Sequence, residues 1–194
     1  MGLRNPYLDF FRAMPPACRR DPAVAPSAGE LLSPEWLTLK AAIAGHFAWA
    51  VPTEDAIRTV VRHATQVVEV GAGSGYWAWM MRQAGIAVAA FDASPPAFTW
   101  SEVGLGDERV AMHYPDHMLF LCWPPWNSDM AYNALASHRG DRLVYVGEWM
   151  GGSANARFFE HLVGGFEAVD VVELPQWHNR DDRLMVFRRR GSPA

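Results

Sequence analysis

The chain has 194 residues, half of them apolar and a fifth charged, which suits one globular domain with a single substantial core. A net charge of −4 without any long Lys/Arg run argues against affinity built on neutralising phosphates, so no nucleic-acid partner is expected. Cys18 and Cys122 are too few for a disulfide framework or a self-contained zinc site, and no stretch reaches the length of a membrane span. Met1 to Phe11 lacks the pattern of a secretory signal, so the expectation is a reducing, cytoplasmic setting with no membrane partner.

Taken in chain order, Met14 to Gly29 carries Pro15, Pro16, Pro22 and Pro26 and reads as an extended arm. Ser33 and Pro34 then form a cap and first-turn signal, with Trp36, Leu39, Ile43 and Phe47 at the spacing of a one-sided buried helix. A second helix starts at the cap Thr53, with Glu54 and Asp55 at its positive end and Ile57, Val60 and Val61 on one face. His46 and His63 have no second ligand one turn away, so no metal site is expected. Residues 1–64 are thus read as an arm and cap helices on a core of 65–194, together one compact domain.

From Gln66 short apolar runs alternate with helical segments, the arrangement of a mostly parallel sheet. The expected strands are Val67 to Val70, Ala87 to Phe91, Val110 to His113, Met118 to Cys122, Leu143 to Val146, Ala168 to Leu174 and Leu184 to Arg188. Helices are expected between Gly75 and Gly85, over Ser128 to His138, and over Ala154 to Val163 with Gly164 as a stop. Pro175 to Arg183 is too short for a parallel crossover, so the last two strands should pair antiparallel. The fold class is α/β: a Rossmann-like three-layer sandwich around a mostly parallel seven-stranded sheet with a C-terminal antiparallel hairpin.

The Val67 to Val70 run enters Gly71-Ala72-Gly73-Ser74-Gly75, whose glycines allow close backbone approach to a ligand ahead of a helix. The spacing is G-x-G-x-G, and Tyr76 stands where a dinucleotide fingerprint needs its third glycine, which disfavours NAD. The second strand ends at Asp92, where a carboxylate can accept from both hydroxyls of a ribose. A plain strand-to-helix turn, with Asp92 capping a turn before Pro95, is the alternative.

Over roughly Gln66 to Arg188 the sequence resembles the class I S-adenosylmethionine (SAM) dependent methyltransferases, Glu69 to Gly75 matching their motif I and Asp92 their acid after strand two. The resemblance implies SAM as cofactor, with Glu69 at its amino group, Gly71, Ala72, Gly73 and Gly75 along its methionine part, and Asp92 with Ala93 at the ribose. Asp116, after the expected third strand, is the candidate for the adenine.

Ligands of open α/β sheets are transformed beyond the carboxyl ends of the strands, which points to Trp123, Pro124, Pro125 and Trp126 as the substrate wall. The segment looks like the Asn/Asp-Pro-Pro-aromatic motif of amino-methylating members. There the polar side chain and a proline carbonyl accept from the target amine, but Trp123 is no acceptor, which argues against base-amine methylation. Aromatic faces suit a flat or cationic group, and ordinary packing of Trp123 and Trp126 is the other reading. Glu148 is the candidate catalytic residue, as a general base or amine-binding group, with a capping role as its alternative. Tyr132, His113 and His178 rank below it. Methyl transfer needs little beyond alignment and desolvation, so a base can be absent. Ala48 to Thr53 can close over the cofactor or merely connect. The function implied is a SAM-dependent methyltransferase acting on a small molecule; the alternatives are a SAM-using lyase or cyclase working on the aminobutyrate chain, or a non-catalytic SAM-binding module. Oligomeric state is not readable.

Overall fold

Alternation within the apolar runs assigns the two faces of one sheet. In the computed structural model, which describes residues 2–19, 34–178 and 180–192 (of 34–36 the backbone alone), the elements run α1 (Pro6–Ala13), α2 (Pro34–His46), α3 (Glu54–His63), β1 (Gln66–Val70), α4 (Tyr76–Gln83), β2 (Ala87–Asp92), β3 (Gly104–Leu105), β4 (Met118–Cys122), α5 (Met130–Ser137), β5 (Arg142–Glu148), α6 (Ala156–Gly165), β6 (Phe166–Glu173) and β7 (Asp182–Arg189). Val67, Phe120, Val144, Val146, Leu184 and Val186 face one way, onto Ile57, Val60, Trp77 and Met80 of α3 and α4. Val68, Leu119, Leu121, Leu143 and Tyr145 face the other way, onto α5 and α6 through Leu135, Phe158 and Leu162. This period of two, buried on both sides, makes three layers.

The strand order is β3-β2-β1-β4-β5-β7-β6, with β7 antiparallel to both β5 and β6 and all other pairs parallel. The seven-stranded α/β sheet and its antiparallel C-terminal pair are as expected from the sequence. β7 is inserted between β5 and β6, which carries its first residue, Asp182, to the carboxyl end of β5 opposite Glu148.

Several local expectations are corrected. Val110 to His113 is not a strand but part of a 3-10 turn, Glu108–His113, opened by Asp107, whose side chain accepts the Arg109 amide. The third strand is Gly104–Leu105, two residues long, so an apolar run had little to announce it. α6 passes through Gly164 and ends at the extended Phe166, so Gly164 is no stop. On α2, Leu39 is exposed and the inward side chains are Lys40, Ile43 and Ala44, so the buried stripe includes a lysine. On α3, Ile57 and Val60 are buried and Val61 is exposed. Thr53 caps α3, accepting the Ala56 amide. Pro22, Pro26 and Ser33, and the Trp36 side chain, lie outside the described residues. Among the described residues no helix is long and apolar enough to cross a membrane.

The N-terminal elements share the α3/α4 side of the sheet. Tyr7 of α1 is buried between rings: parallel to Phe47 at 4.6 Å between centroids and edge-on to Tyr76 at 5.7 Å. Its hydroxyl donates to the Ala48 carbonyl at 2.8 Å and accepts the Trp177 indole N–H at 3.1 Å. On the opposite layer the fully buried Phe158 fixes α6. Phe158→Ala is expected to destabilise the chain by about 3–5 kcal/mol, through lost burial and a residual cavity. A urea titration checks this: the midpoint should fall at unchanged slope, and a loss below about 1 kcal/mol would contradict close packing there.

Candidate functional site

Two adjoining hollows open at the carboxyl ends of β1, β2 and β4. One, of about 370 Å³, lies among Asp92, Ala93, Gly106 to Glu108, Pro124, Pro125 and Met130. The other, of about 360 Å³, lies under Phe47 to Trp49, among Glu69, Ala72 to Ser74 and Trp77. Gly71, Asp92, Cys122 and Trp123 line both, so the hollows form one cleft bent around the end of β1.

The loop after β1 is closed by backbone. The amides of Gly71 and Ala72 both donate to the Phe91 carbonyl at 2.9 Å, and the Gly75 amide donates to Ala72 at 2.8 Å. Gly71, Gly73 and Gly75 have φ of 75°, 53° and 69°, a region L side chains rarely adopt. A Cβ on Gly71 would also lie 2.5 Å from Met130 Cε, and one on Gly75 2.7 Å from Val103. Asp92 is held by the tip of this loop: Oδ2 accepts the Gly73 amide and Oδ1 the Ser94 amide, each at 2.8 Å. The carboxylate is therefore fixed in the cleft, with lone pairs left for a ligand.

Glu69 lines the other hollow from within the sheet. It is 1% exposed, and its Oε2 has no hydrogen-bond partner. Burial pushes its carboxyl up to about 8, against the opposing pull of the Arg82 charge and an Ala78 amide. The cap closes on this hollow. Ser74 Oγ donates to the Phe47 carbonyl, and the Trp100 indole N–H donates to the His46 carbonyl at 2.8 Å.

Trp123 follows β4 with a left-handed backbone, φ 51°. Its ring stacks on Trp49 at 5.6 Å with 27° between planes, and Arg180 lies 5.2 Å from its centroid. Its indole N–H donates to Asp182 Oδ1 at 2.6 Å, and the Pro124 carbonyl accepts the Ala154 amide at 2.8 Å.

Of the residues singled out by sequence, the structure gathers Glu69, Gly71, Ala72, Gly73, Asp92, Ala93, Trp123, Pro124 and Pro125 around the cleft, with Gly75 at the base of its loop. Asp116 is not brought there. It precedes β4 and sits in a separate polar hollow with His63, His117 and Arg142 at the amino end of the sheet, a consequence of the misread third strand. The acidic pair at the cleft is Asp107 and Glu108. Trp126 is 66% exposed outside both hollows. Glu148 does not line them either; its carboxylate accepts the Gly152 amide at 2.9 Å and the Asp181 amide at 3.3 Å, with Arg180 4.0 Å away. That is a loop-pinning arrangement. Of the lower-ranked candidates, Tyr132 lies under Arg157, 3.8 Å from its ring centroid, and the His178 amide donates to the Cys18 carbonyl. Lys40 and Asp182, both buried, went unread, although period two puts Asp182 on the face of Leu184 and Val186, and helical spacing puts Lys40 with Ile43. Among the described residues no group of three metal-ligating side chains occurs.

No family model and no curated protein matches the chain. Among solved structures it is similar to one reported for conversion of a disulfide bond into a thioacetal group in echinomycin biosynthesis: TM-score 0.51, 11% identity, 81% of this chain and 93% of that one. It is similar also to a proposed O-methyltransferase from Klebsiella pneumoniae, with TM-score 0.50 and 15% identity over 82% of this chain and 92% of that one. A protein of the NADB-Rossmann superfamily from Streptococcus agalactiae gives TM-score 0.50 and 15% identity over 76% and 73%. At these identities the likeness is one of fold, a Rossmann-like α/β sandwich whose seven-stranded sheet ends in an antiparallel pair.

Glu69 generates a test that needs no ligand. Its folded value lies above its ordinary 4.5, so the unfolded chain ionises first and stability falls as pH rises from about 4.5 to about 8. Glu69→Gln should therefore be more stable than wild type at pH 8, by an amount on the order of 2–5 kcal/mol, with a much smaller gain at pH 5, as urea titrations at the two pH values would show. Equal gains at the two pH values would show that the charge of Glu69 is not the source.

Proposed function

We propose that the chain is a SAM-dependent methyltransferase acting on a small molecule. The observation that carries this reading is the buried carboxyl of Glu69, whose Oε2 has no hydrogen-bond partner among the described residues, in one cleft with the fixed carboxylate of Asp92, which stands where the two hollows meet. An ammonium group would answer the first and a ribose diol the second, and SAM presents both, on either side of one sulfonium sulfur. In this reading the 360 Å³ hollow takes the aminobutyrate part and the 370 Å³ hollow the nucleoside, with Asp107 and Glu108 near the base. SAM supplies a methyl group on a positively charged sulfur.

The chain's own contribution is alignment and exclusion of water. The left-handed glycines leave room beneath the ligand, Met130 flanks Gly71, and Cys122 and Trp123 stand where the hollows meet, the natural place for the reacting end. Trp123 and Pro124 have their side-chain donor and carbonyl engaged within the protein, so the wall is not arranged to grip a target amine by its N–H groups. With Glu148 pinned to its own loop, the acceptor provides its own nucleophile, and any proton stays on the methylated product until it leaves the cleft for bulk solvent. A net charge of −4 supports a small acceptor over nucleic acid.

Calorimetric titration of the ligand-free chain with SAM, S-adenosylhomocysteine and NAD tests the cofactor. Asp92→Ala should weaken SAM at least tenfold, since each hydrogen bond to a charged group contributes about 1.5–3 kcal/mol. NAD should give no saturable heat, and a preference for NAD would sink the reading. Incubation of SAM with a metabolite extract should then yield S-adenosylhomocysteine and a methylated product; methylthioadenosine in its place would identify a lyase or cyclase.

A further inference from the structure

Behind the wall of the cleft lies a buried polar layer that the proposed reaction does not use. Lys40, on α2, is 3% exposed; Nζ donates to the Trp49 carbonyl at 2.7 Å and lies 3.5 Å from the Tyr7 hydroxyl. Its charge sits over rings, 5.5 Å from the Trp49 centroid and 4.9 Å from that of Trp177. Asp182, at the start of β7, is fully buried. Its Oδ1 accepts the Trp123 indole N–H, its Oδ2 has no partner, and its backbone is locked to Gln176 through the Asp182 amide and carbonyl at 2.7 Å each.

Each buried charge therefore fixes one member of a single stacked pair, Lys40 through the main chain of Trp49 and Asp182 through the ring of Trp123. Trp49 is 39% exposed, and Trp123 has a left-handed backbone, φ 51°. We propose that Lys40 and Asp182 are positioning residues of the cleft, which jointly hold the Trp49–Trp123 stack from behind and so join the cap to the β4 and β7 ends across the reacting side of the site. Burial pushes the Lys40 ammonium down and the Asp182 carboxyl up, and each charge partly offsets the shift of the other. Loss of either side chain would leave a buried polar group without its partner, the Trp49 carbonyl in one case and the Trp123 indole N–H in the other. The structural link stands on these contacts alone; its placement at the reacting side rests on the SAM reading above.

The test uses the full chain labelled with ¹⁵N-tryptophan, ligand-free, with the Trp123 indole resonance assigned by Trp123→Phe. The Trp123 indole N–H should exchange with water at least roughly tenfold more slowly than that of the exposed Trp126. Asp182→Asn, whose amide oxygen still accepts, should keep this protection. Asp182→Ala should lose it and shift the Trp49 resonance as well. Lys40→Met should lower the melting temperature, and adding Asp182→Asn to it should restore part of the loss. Trp123 exchange as fast as Trp126 in wild type overturns the proposal even if Asp182→Ala fails to fold, and so does unchanged protection in a folded Asp182→Ala. SAM added to wild type should move the Trp123 resonance. Saturable SAM binding that leaves it in place overturns the proposed location, whereas absence of SAM binding with the protection pattern intact overturns the cofactor reading and leaves the link between pair and stack supported.

Discussion

The Phe91 carbonyl receives two amide hydrogens, from Gly71 and Ala72, and this closure joins the ends of β1 and β2 at the one place where the cleft bends. Everything on the proposed cofactor side follows from it. With the loop pulled over β2, the next amide, Gly73, meets the Asp92 carboxylate, and the chain can turn into α4 only through left-handed residues. Glycine is required there by conformation and by space together, because Met130 and Val103 already occupy the volume a side chain would need. The loop thus carries information in its backbone more than in its side chains.

That is why this part of the site was legible in the sequence. A glycine pattern after an apolar strand, with an acid at the end of the next strand, is local and depends on chain geometry alone, so it marks the turn after β1 and the end of β2, where Glu69 to Gly75 and Asp92 stand. The β1, β4 and β5 runs read well for a related reason, since they are apolar and buried on both faces. The third strand did not, because two residues carry no periodicity, and the Val110 to His113 run that was read in its place belongs to a turn capped by Asp107. Asp116 was misplaced with it.

The β4, β5 and β7 side of the cleft is less legible, because its contacts join residues far apart in the chain. Trp123 could be read as lacking a hydrogen-bond acceptor, but its donation to Asp182 depends on β7 inserting beside β5. Glu148 was rightly placed at a carboxyl end, yet whether a carboxylate there meets a ligand or its own loop is decided by the Gly152 and Asp181 amides, which no spacing rule announces. Lys40 lies on the inward stripe of α2, a place where lysine is seldom buried, so its spacing alone does not single it out. The ring cluster around Tyr7 and Trp177 makes that burial tolerable by surrounding its stem and facing its charge.

The two sides of the cleft differ in how they can change over generations. The glycine-loop side is tied largely by main-chain hydrogen bonds, which most substitutions leave in place provided the glycines remain. The β4, β5 and β7 side is tied by side chains: an indole on a carboxylate, a glutamate on its own loop, a lysine among rings. Exchange of a few of those side chains would reshape that wall while the loop beside it stayed as it is. The cleft is therefore built as a fixed half and an adaptable half, and substitutions over generations would change its shape first around Trp123.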